Sequence, residues 1–404
     1  MSWTPVARSA DVGTEPRQVR VGGREWVLVR LEPDGPATLL PALCPHRRVP
    51  LVTGSVAGGR LQCAYHGWEF DAAGTCTLVP SLGHDRVPPR ASLPPGPPVR
   101  EVDGAVEVLL DAEDTEAEQE IPGLGNEDPA LLRAWHPIAL STEVGAAHEV
   151  RLLGRTWSLS RSGTGLRAEP EPYALAERWG LVWLAPEEPL VPLFDEPDAE
   201  DAAYAGAWLP PDRTPAPAGF VADNFLDVAH FPFVHTGTFG SEAATVVEAY
   251  DVLPEPGGFR SVQEQWFENP EDPGVAAGLR PLRQRRRATY VYRAPFQLVL
   301  RLEELDVGAV KTILFFAQPE SADSTRIYTK MLLHDIGGLG EPTPQVVANE
   351  VAFEQAVLAE DLALQETLTL RVLPLDLKDE MHVRADRLGV ALRRELLAFV
   401  RAAA

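Results

Sequence analysis

The 404 residues carry 36 Lys and Arg against 59 Asp and Glu, a formal charge of −23, which excludes nucleic acid and anionic membrane as partners because both attract surplus cations. The length suits two or three domains around a substantial core. Three cysteines, with no basic and apolar leader ahead of Trp3, exclude a secreted disulfide framework, and no apolar run approaches the roughly 20 residues of a membrane span, so a cytoplasmic protein is expected.

The first chemical signal is Cys44-Pro-His46, followed after 16 residues by Cys63-x-x-His66. A strand, a turn at Gly58-Gly59 and a returning strand "RLQC" fill the interval, so two loop tips can clamp one object. A structural zinc ion is one occupant, but the short C-x-H arm is not finger spacing and no helix carries the second histidine. An iron-sulfur cluster with thiolates on one iron and imidazoles on the other suits the pattern better. Cys76, beyond the second arm, reads as a small buried apolar residue.

This pattern, continued by "AYHGWEFDAAGTC", resembles the Rieske [2Fe-2S] domain, and it departs at Arg48, where oxygenase members have glycine. The resemblance implies Cys44, His46, Cys63 and His66 as cluster ligands.

Further along, the chain repeats itself. "WTPVARSADVG" at 3–13 matches "WHPIALSTEVG" at 135–145 at six of eleven positions, and "VRVGGREWVLVR" at 19–30 matches "VRLLGRTWSLSR" at 150–161 at seven. Between these ends the first copy holds the cluster arms, and the second has neither Cys nor His. A duplicated β-unit that lost its cluster is expected, joined to the first by the acidic spacer "DAEDTEAEQE". The plainer alternative makes 135–186 the first strands of the next domain.

In "DNFLDVAHFPFVH", Asn224, Asp227 and His230 follow at three-residue steps along one helix face, and Pro232 is expected to kink the chain so that His235 swings back beside His230. Two imidazoles need a carboxylate to make the facial triad of non-haem ferrous oxygenases. The run "RQRRR" at 283–287 reads as a solvated turn or a docking patch for an acidic ferredoxin, ahead of β-branched and aromatic strands up to residue 334. In the long helix that follows, Asp361 shares an apolar stripe with Val347, Val351 and Leu358, whereas Glu360 and Glu366 read as solvated. His84, His136, His148, His334 and His382 read as structural or solvated.

Together these motifs resemble the Rieske non-haem iron oxygenases over nearly the whole chain. The resemblance implies an α+β chain: a Rieske domain at 1–115, a linker and second Rieske-like unit without ligands at 116–200, and a helix-grip catalytic domain at 201–404. It implies His230, His235 and Asp361 as ligands of a mononuclear Fe(II), with Asn224 and Asp227 assisting. Asp227 is expected to link to His66 of a neighbouring chain in a head-to-tail homotrimer. The implied activity is monooxygenation or demethylation of a small organic substrate with O2 and electrons from a ferredoxin or NAD(P)H-dependent reductase. A cis-dihydroxylating dioxygenase is the first alternative. A Rieske electron carrier with an inactive oxygenase-like shell is the second.

Overall fold

The computed structural model describes residues 2–110, 121–163, 165–241, 244–269 and 272–404; the acidic spacer at 111–120 lies outside the described residues. The architecture is α+β, as expected, with two small β-units leading into a large antiparallel sheet gripped by helices.

In the first unit, Ser2–Arg8, Ala105–Leu110 and Val99–Val102 form one three-stranded sheet, and Arg17–Val21, Arg24–Arg30 and Ala37–Pro41 form a second. A four-stranded excursion, Ser55–Ala57, Arg60–Gln62, Glu69–Phe70 and Cys76–Leu78, carries the cysteine and histidine arms. The expected turn is present: Gly58 and Gly59 take φ of 56° and 76°, the left-handed pair that a tight hairpin requires. Cys76 is buried, and that burial pushes its thiol up to about 12.

Residues 136–185 reproduce the plan. His136–Leu140, Leu181–Ala185 and Ala174–Arg178 make one three-stranded sheet; His148–Leu152, Arg155–Ser162 and Gly165–Glu169 make the other. The register shift between Pro5 and Ala7 recurs between Pro137 and Ala139. Left-handed residue pairs close matching hairpins, Asp103-Gly104 in one copy and Trp179-Gly180 in the other. Even a side-chain pair repeats: Arg30 pairs with Glu101, and Arg161 with Glu177.

The catalytic sheet has eight strands, running in space from Ala205–Trp208 through Ser324–His334, Val310–Ser321, Gln297–Glu304, Arg283–Arg293 and Gly258–Glu268 to Leu253–Glu255, with Asp212–Thr214 on Ser324–His334. The basic run at 283–287 is therefore a strand, not a turn. Arg287 faces Glu264 and Glu303, and Arg286 faces Glu304, so neighbouring strands neutralise the charges that sequence alone left free.

Pro344–Gln365 forms the long helix, started by Thr343, whose Oγ1 accepts from Val346 N, and by Pro344 in the first turn. Arg387–Ala403 closes the fold. Its fully buried Arg393 donates to Asp223 at 2.7 and 2.9 Å and to Glu380 at 2.7 Å, and Arg47 of the first unit joins Asp223 at 3.1 Å and Asp386 at 3.2 Å. No helix among the described residues is long and apolar enough to cross a membrane.

Removing one member of a closed buried ion network leaves the others unpaired. Arg393→Ala should therefore lose about 3–5 kcal/mol of stability, read from the denaturant midpoint of the purified protein.

Candidate active site

Two loops of the first unit are built alike. Cys44 N donates to Val49 O and Arg48 N to Cys44 O; Cys63 N donates to Trp68 O and Gly67 N to Cys63 O. Each loop turns on a left-handed residue, Arg48 at φ 56° and Gly67 at φ 65°. Arg48 thus follows the same path as a glycine at a strain of about 1–2 kcal/mol.

The loops bring all four expected side chains into the interior. His46 and His66 face each other, Nδ1 to Nδ1, at 3.1 Å, and Cys44 and Cys63 are both buried. Trp68 stacks on His46 at 4.5 Å. Both Nε2 atoms have carboxylate partners: Asp386 on His46 at 2.9 Å and Asp227 on His66 at 2.9 Å. Burial pushes the His46 imidazole down to about 4 against the pull of Asp386, leaving it neutral and fit to be a ligand.

The second cluster of side chains sits where a helix ends early. Ala218–Leu226 stops at Asp227, whose backbone is extended (φ −84°, ψ 127°) and whose Oδ1 accepts from Ala229 N at 2.7 Å. This corrects the expected helix face: the break falls at Asp227, not beside Pro232. Pro232 lies in the first turn of the short helix Phe231–Val234, where a missing N–H costs nothing.

His230 and His235 flank that short helix, and their Nε2 atoms converge to 3.0 Å. Asp361 Oδ1 lies 3.3 Å from one and 3.5 Å from the other. Donors held about 2.1 Å from one ion lie roughly 3 Å from each other, so the three atoms fit a single metal. Two imidazoles and one carboxylate are the donor set that ferrous oxygenases use.

Asn224 Nδ2 donates to Asp361 Oδ1 at 3.1 Å and to Tyr65 Oη at 3.2 Å, while Gln365 Nε2 donates to Asn224 Oδ1 at 3.1 Å. It orients the carboxylate and makes no contact with the imidazoles' converging atoms. Glu360 corrects the solvated reading: its carboxylate sits 3.0 Å from His235 Nδ1 and accepts from Gly237 N at 3.0 Å and Thr238 Oγ1 at 2.7 Å. A helix step of 100° separates Glu360 from Asp361, enough to reach the far side of the same imidazole. Glu366 is exposed, as expected.

Tyr65, Arg47 and Asp386 escaped sequence reasoning. Each sits beside a motif residue or far from one in sequence, with nothing in its spacing to mark it. The Tyr65 ring lies 4.0 Å from His66 and 5.6 Å from His230, and burial, reinforced by Asp227, holds its phenol neutral. His136 is structural, bonding Leu131 O at 2.7 Å. His382 contacts Arg47 at 3.1 Å.

Asp227 Oδ2 lies 2.9 Å from His66 Nε2 in the single chain. Burial opposes the charge of Asp227, but His66 and His230 together hold its carboxyl well below the usual range. Its Oδ1 approaches His230 Nδ1 at 3.7 Å.

Comparison with known proteins gives the same two halves. A Rieske [2Fe-2S] domain matches residues 2–94, and the vanillate O-demethylase oxygenase C-terminal domain matches residues 214–402. The probable methylxanthine N7-demethylase NdmC of Pseudomonas sp. (strain TJI-51) is 30% identical over 291 residues, 67% of this chain and 95% of its own length. The chain belongs to the Rieske non-haem iron oxygenases. Phenoxybenzoate dioxygenase subunit alpha of Ectopseudomonas oleovorans is 39% identical over 104 residues, 26% of this chain and 25% of that subunit. Among solved structures, NdmA of Pseudomonas putida CBB5 with caffeine aligns over 99% of this chain and 90% of its own at 20% identity and a TM-score of 0.46.

As a Rieske oxygenase this chain is an enzyme with a [2Fe-2S] cluster and a mononuclear iron as cofactors. It takes electrons from a reductase or ferredoxin and acts with O2 on a small organic substrate.

A carboxylate that orients a ligating imidazole supports metal affinity. Glu360→Ala is expected to weaken ferrous iron binding about 10–100-fold, in a titration of metal-depleted protein, with the visible absorption of the cluster unchanged.

Proposed function

We propose that the protein is the terminal component of a monooxygenase system that removes N- or O-methyl groups from a small cyclic substrate, or hydroxylates it. Cys44, His46, Cys63 and His66 hold the cluster, and His230, His235 and Asp361 hold the iron, which when bound supplies O2 activation. Residues 1–115 are the Rieske domain, 116–200 a second Rieske-like unit without ligands, and 201–404 the catalytic domain, in a cytoplasmic enzyme.

The convergence of His230, His235 and Asp361 carries this reading. It also disfavours the bare electron carrier, which has no use for a preformed three-donor site. Demethylation is favoured by the C-terminal domain, which is of the vanillate O-demethylase type, and by similarity to NdmC over 95% of that protein's length. In that reaction one oxygen atom enters the methyl carbon and the other leaves as water, with an electron pair and protons from the donor, and the hydroxymethyl group departs as formaldehyde.

Substrate recognition falls to the space between the long helix and the sheet. Val347 and Val351 pack there against Leu209, Ile313, Met331 and Leu333. Glu354 shares this helix face, two turns ahead of Asp361. Burial raises its carboxyl to about 7, with Lys311 acting the other way. Below that pH it is a neutral donor suited to a substrate carbonyl, and above it a carboxylate that repels one.

Measured on purified protein, His230→Ala should lose the mononuclear iron while acid-labile sulfide and the cluster spectrum persist. Equal iron in both proteins would remove the proposed iron site. A panel of N- and O-methylated substrates should give formaldehyde in step with donor oxidation, and a cis-diol product would favour the dioxygenase. For a carbonyl-bearing substrate, KM should rise as pH increases through about 7, and Glu354→Gln, a donor at every pH, should flatten that rise.

A further inference from the structure

The space between the long helix and the sheet ends in charged groups that the iron site does not use. We infer that Glu354, backed by Lys311 and Glu350, is the specificity anchor of the substrate site, an assignment that rests on the site proposed above. It selects a flat substrate with a lactam edge, a ring carbonyl beside a ring N–H, and it rejects carboxylates.

The helix sets the reach. Glu354 and Glu350 precede Asp361 by seven and eleven residues, so both project within about 20° of its direction, at rises of roughly 10 and 16 Å along the axis. That line faces the sheet, because Glu350 pairs with Lys311 and because Val347 and Val351 pack near Ile313 and Met331. The interval from Asp361 to Glu354 suits a fused bicyclic ring whose methyl group lies at the iron site.

The charges set the selection. Lys311 Nζ is paired with Glu350 and sits 5.5 Å over the ring of Phe353, so its charge is already compensated. Glu354 has no hydrogen-bond or ion-pair partner among the described residues. A carboxyl group withdrawn from water is tolerated when it is protonated or when a ligand completes it. Burial raises this one to about 7, with Lys311 opposing and Asp361 and Glu350 adding to the rise. Protonated, it presents a hydroxyl donor and a carbonyl acceptor side by side in one plane. A lactam edge, with C=O beside N–H, is the complement of that pair, and an isolated carbonyl uses only half of it. A substrate carboxylate would meet a lysine already paired and two carboxyl groups beside it.

The sheet under the helix points to a ligand independently. Thr329 is only 3% exposed, and its buried hydroxyl has no partner. It alternates with Ile327 and Met331 on one face of the strand Ser324–His334, and Met331 packs toward the long helix, so the hydroxyl is turned to the same side. Opposite it on the neighbouring strand is Phe315, whose ring stacks on Phe225 at 4.5 Å. An unsatisfied buried hydroxyl beside stacked aromatic rings suits a flat ligand that carries a second polar atom.

Equilibrium binding to the full-length protein, read by calorimetry, separates anchoring from turnover. Three probes share one shape: a methoxyquinolinone with ether and lactam at opposite ends, the methoxycoumarin in which oxygen replaces the lactam N–H, and the methoxynaphthoate with a carboxylate. The quinolinone should bind about tenfold tighter than the coumarin, the worth of one hydrogen bond, and the naphthoate should bind weakest. Glu354→Ala should erase the quinolinone's preference, whereas Glu354→Gln, whose amide also sets a donor beside an acceptor, should keep it. Glu350→Gln, which uncovers Lys311, should raise naphthoate affinity about tenfold. A quinolinone that binds wild-type protein no tighter than the coumarin overturns the inference, as does a preference that survives Glu354→Ala. Loss of the preference in Glu354→Gln, a variant of unchanged shape, overturns it without reliance on the alanine protein. Formaldehyde release is measured separately: a quinolinone bound with the expected preference but never demethylated would fault the proposed reaction and leave the anchor in place.

Discussion

Everything in this molecule is arranged around one buried carboxylate. Asp227 is out of water, and an ionised group there is tolerated only when other charges or donors compensate it. Two imidazoles from opposite halves of the chain, His66 and His230, do so together. That requirement fixes the early end of the helix Ala218–Leu226, the extended backbone at Asp227 and the short helix that follows.

Ionic groups also set the register of that docking. Arg47, Asp223, Asp386, Arg393 and Glu380 form one closed, dry network that joins a loop near the start of the chain to a helix at its end. Such a network adds little net stability over a well-packed apolar contact, but it accepts only one arrangement. The apolar contacts around it, such as Phe233 on Gly67, tolerate no added atom either.

One chain holds both a sheet-packed β-unit and a cluster-bearing one, built on the same strand plan. The two units keep the same hairpins, the same bulge and the same Arg-Glu pair, features that shape the unit itself. They differ in the four-stranded excursion that carries the ligands, and in the faces they dock on.

The sequence by itself determined the ligand types and the class of fold. Short fixed spacings such as Cys44-x-His46 and Cys63-x-x-His66 bring donors together through local loop geometry alone, and a carboxylate on an apolar helix stripe, Asp361, advertises a buried partner. The internal repeat was legible for the same reason, because its hairpins and strand pattern are local. Glu360, Tyr65, Arg47 and Asp386 were not legible: each gains its role from a residue far away in sequence, so no spacing records it. The basic run at 283–287 was misread because its neutralising partners lie on adjacent strands. Only the tertiary structure brings these residues together, because the ion network of Arg47, Asp223 and Arg393 joins segments that lie far apart in the chain.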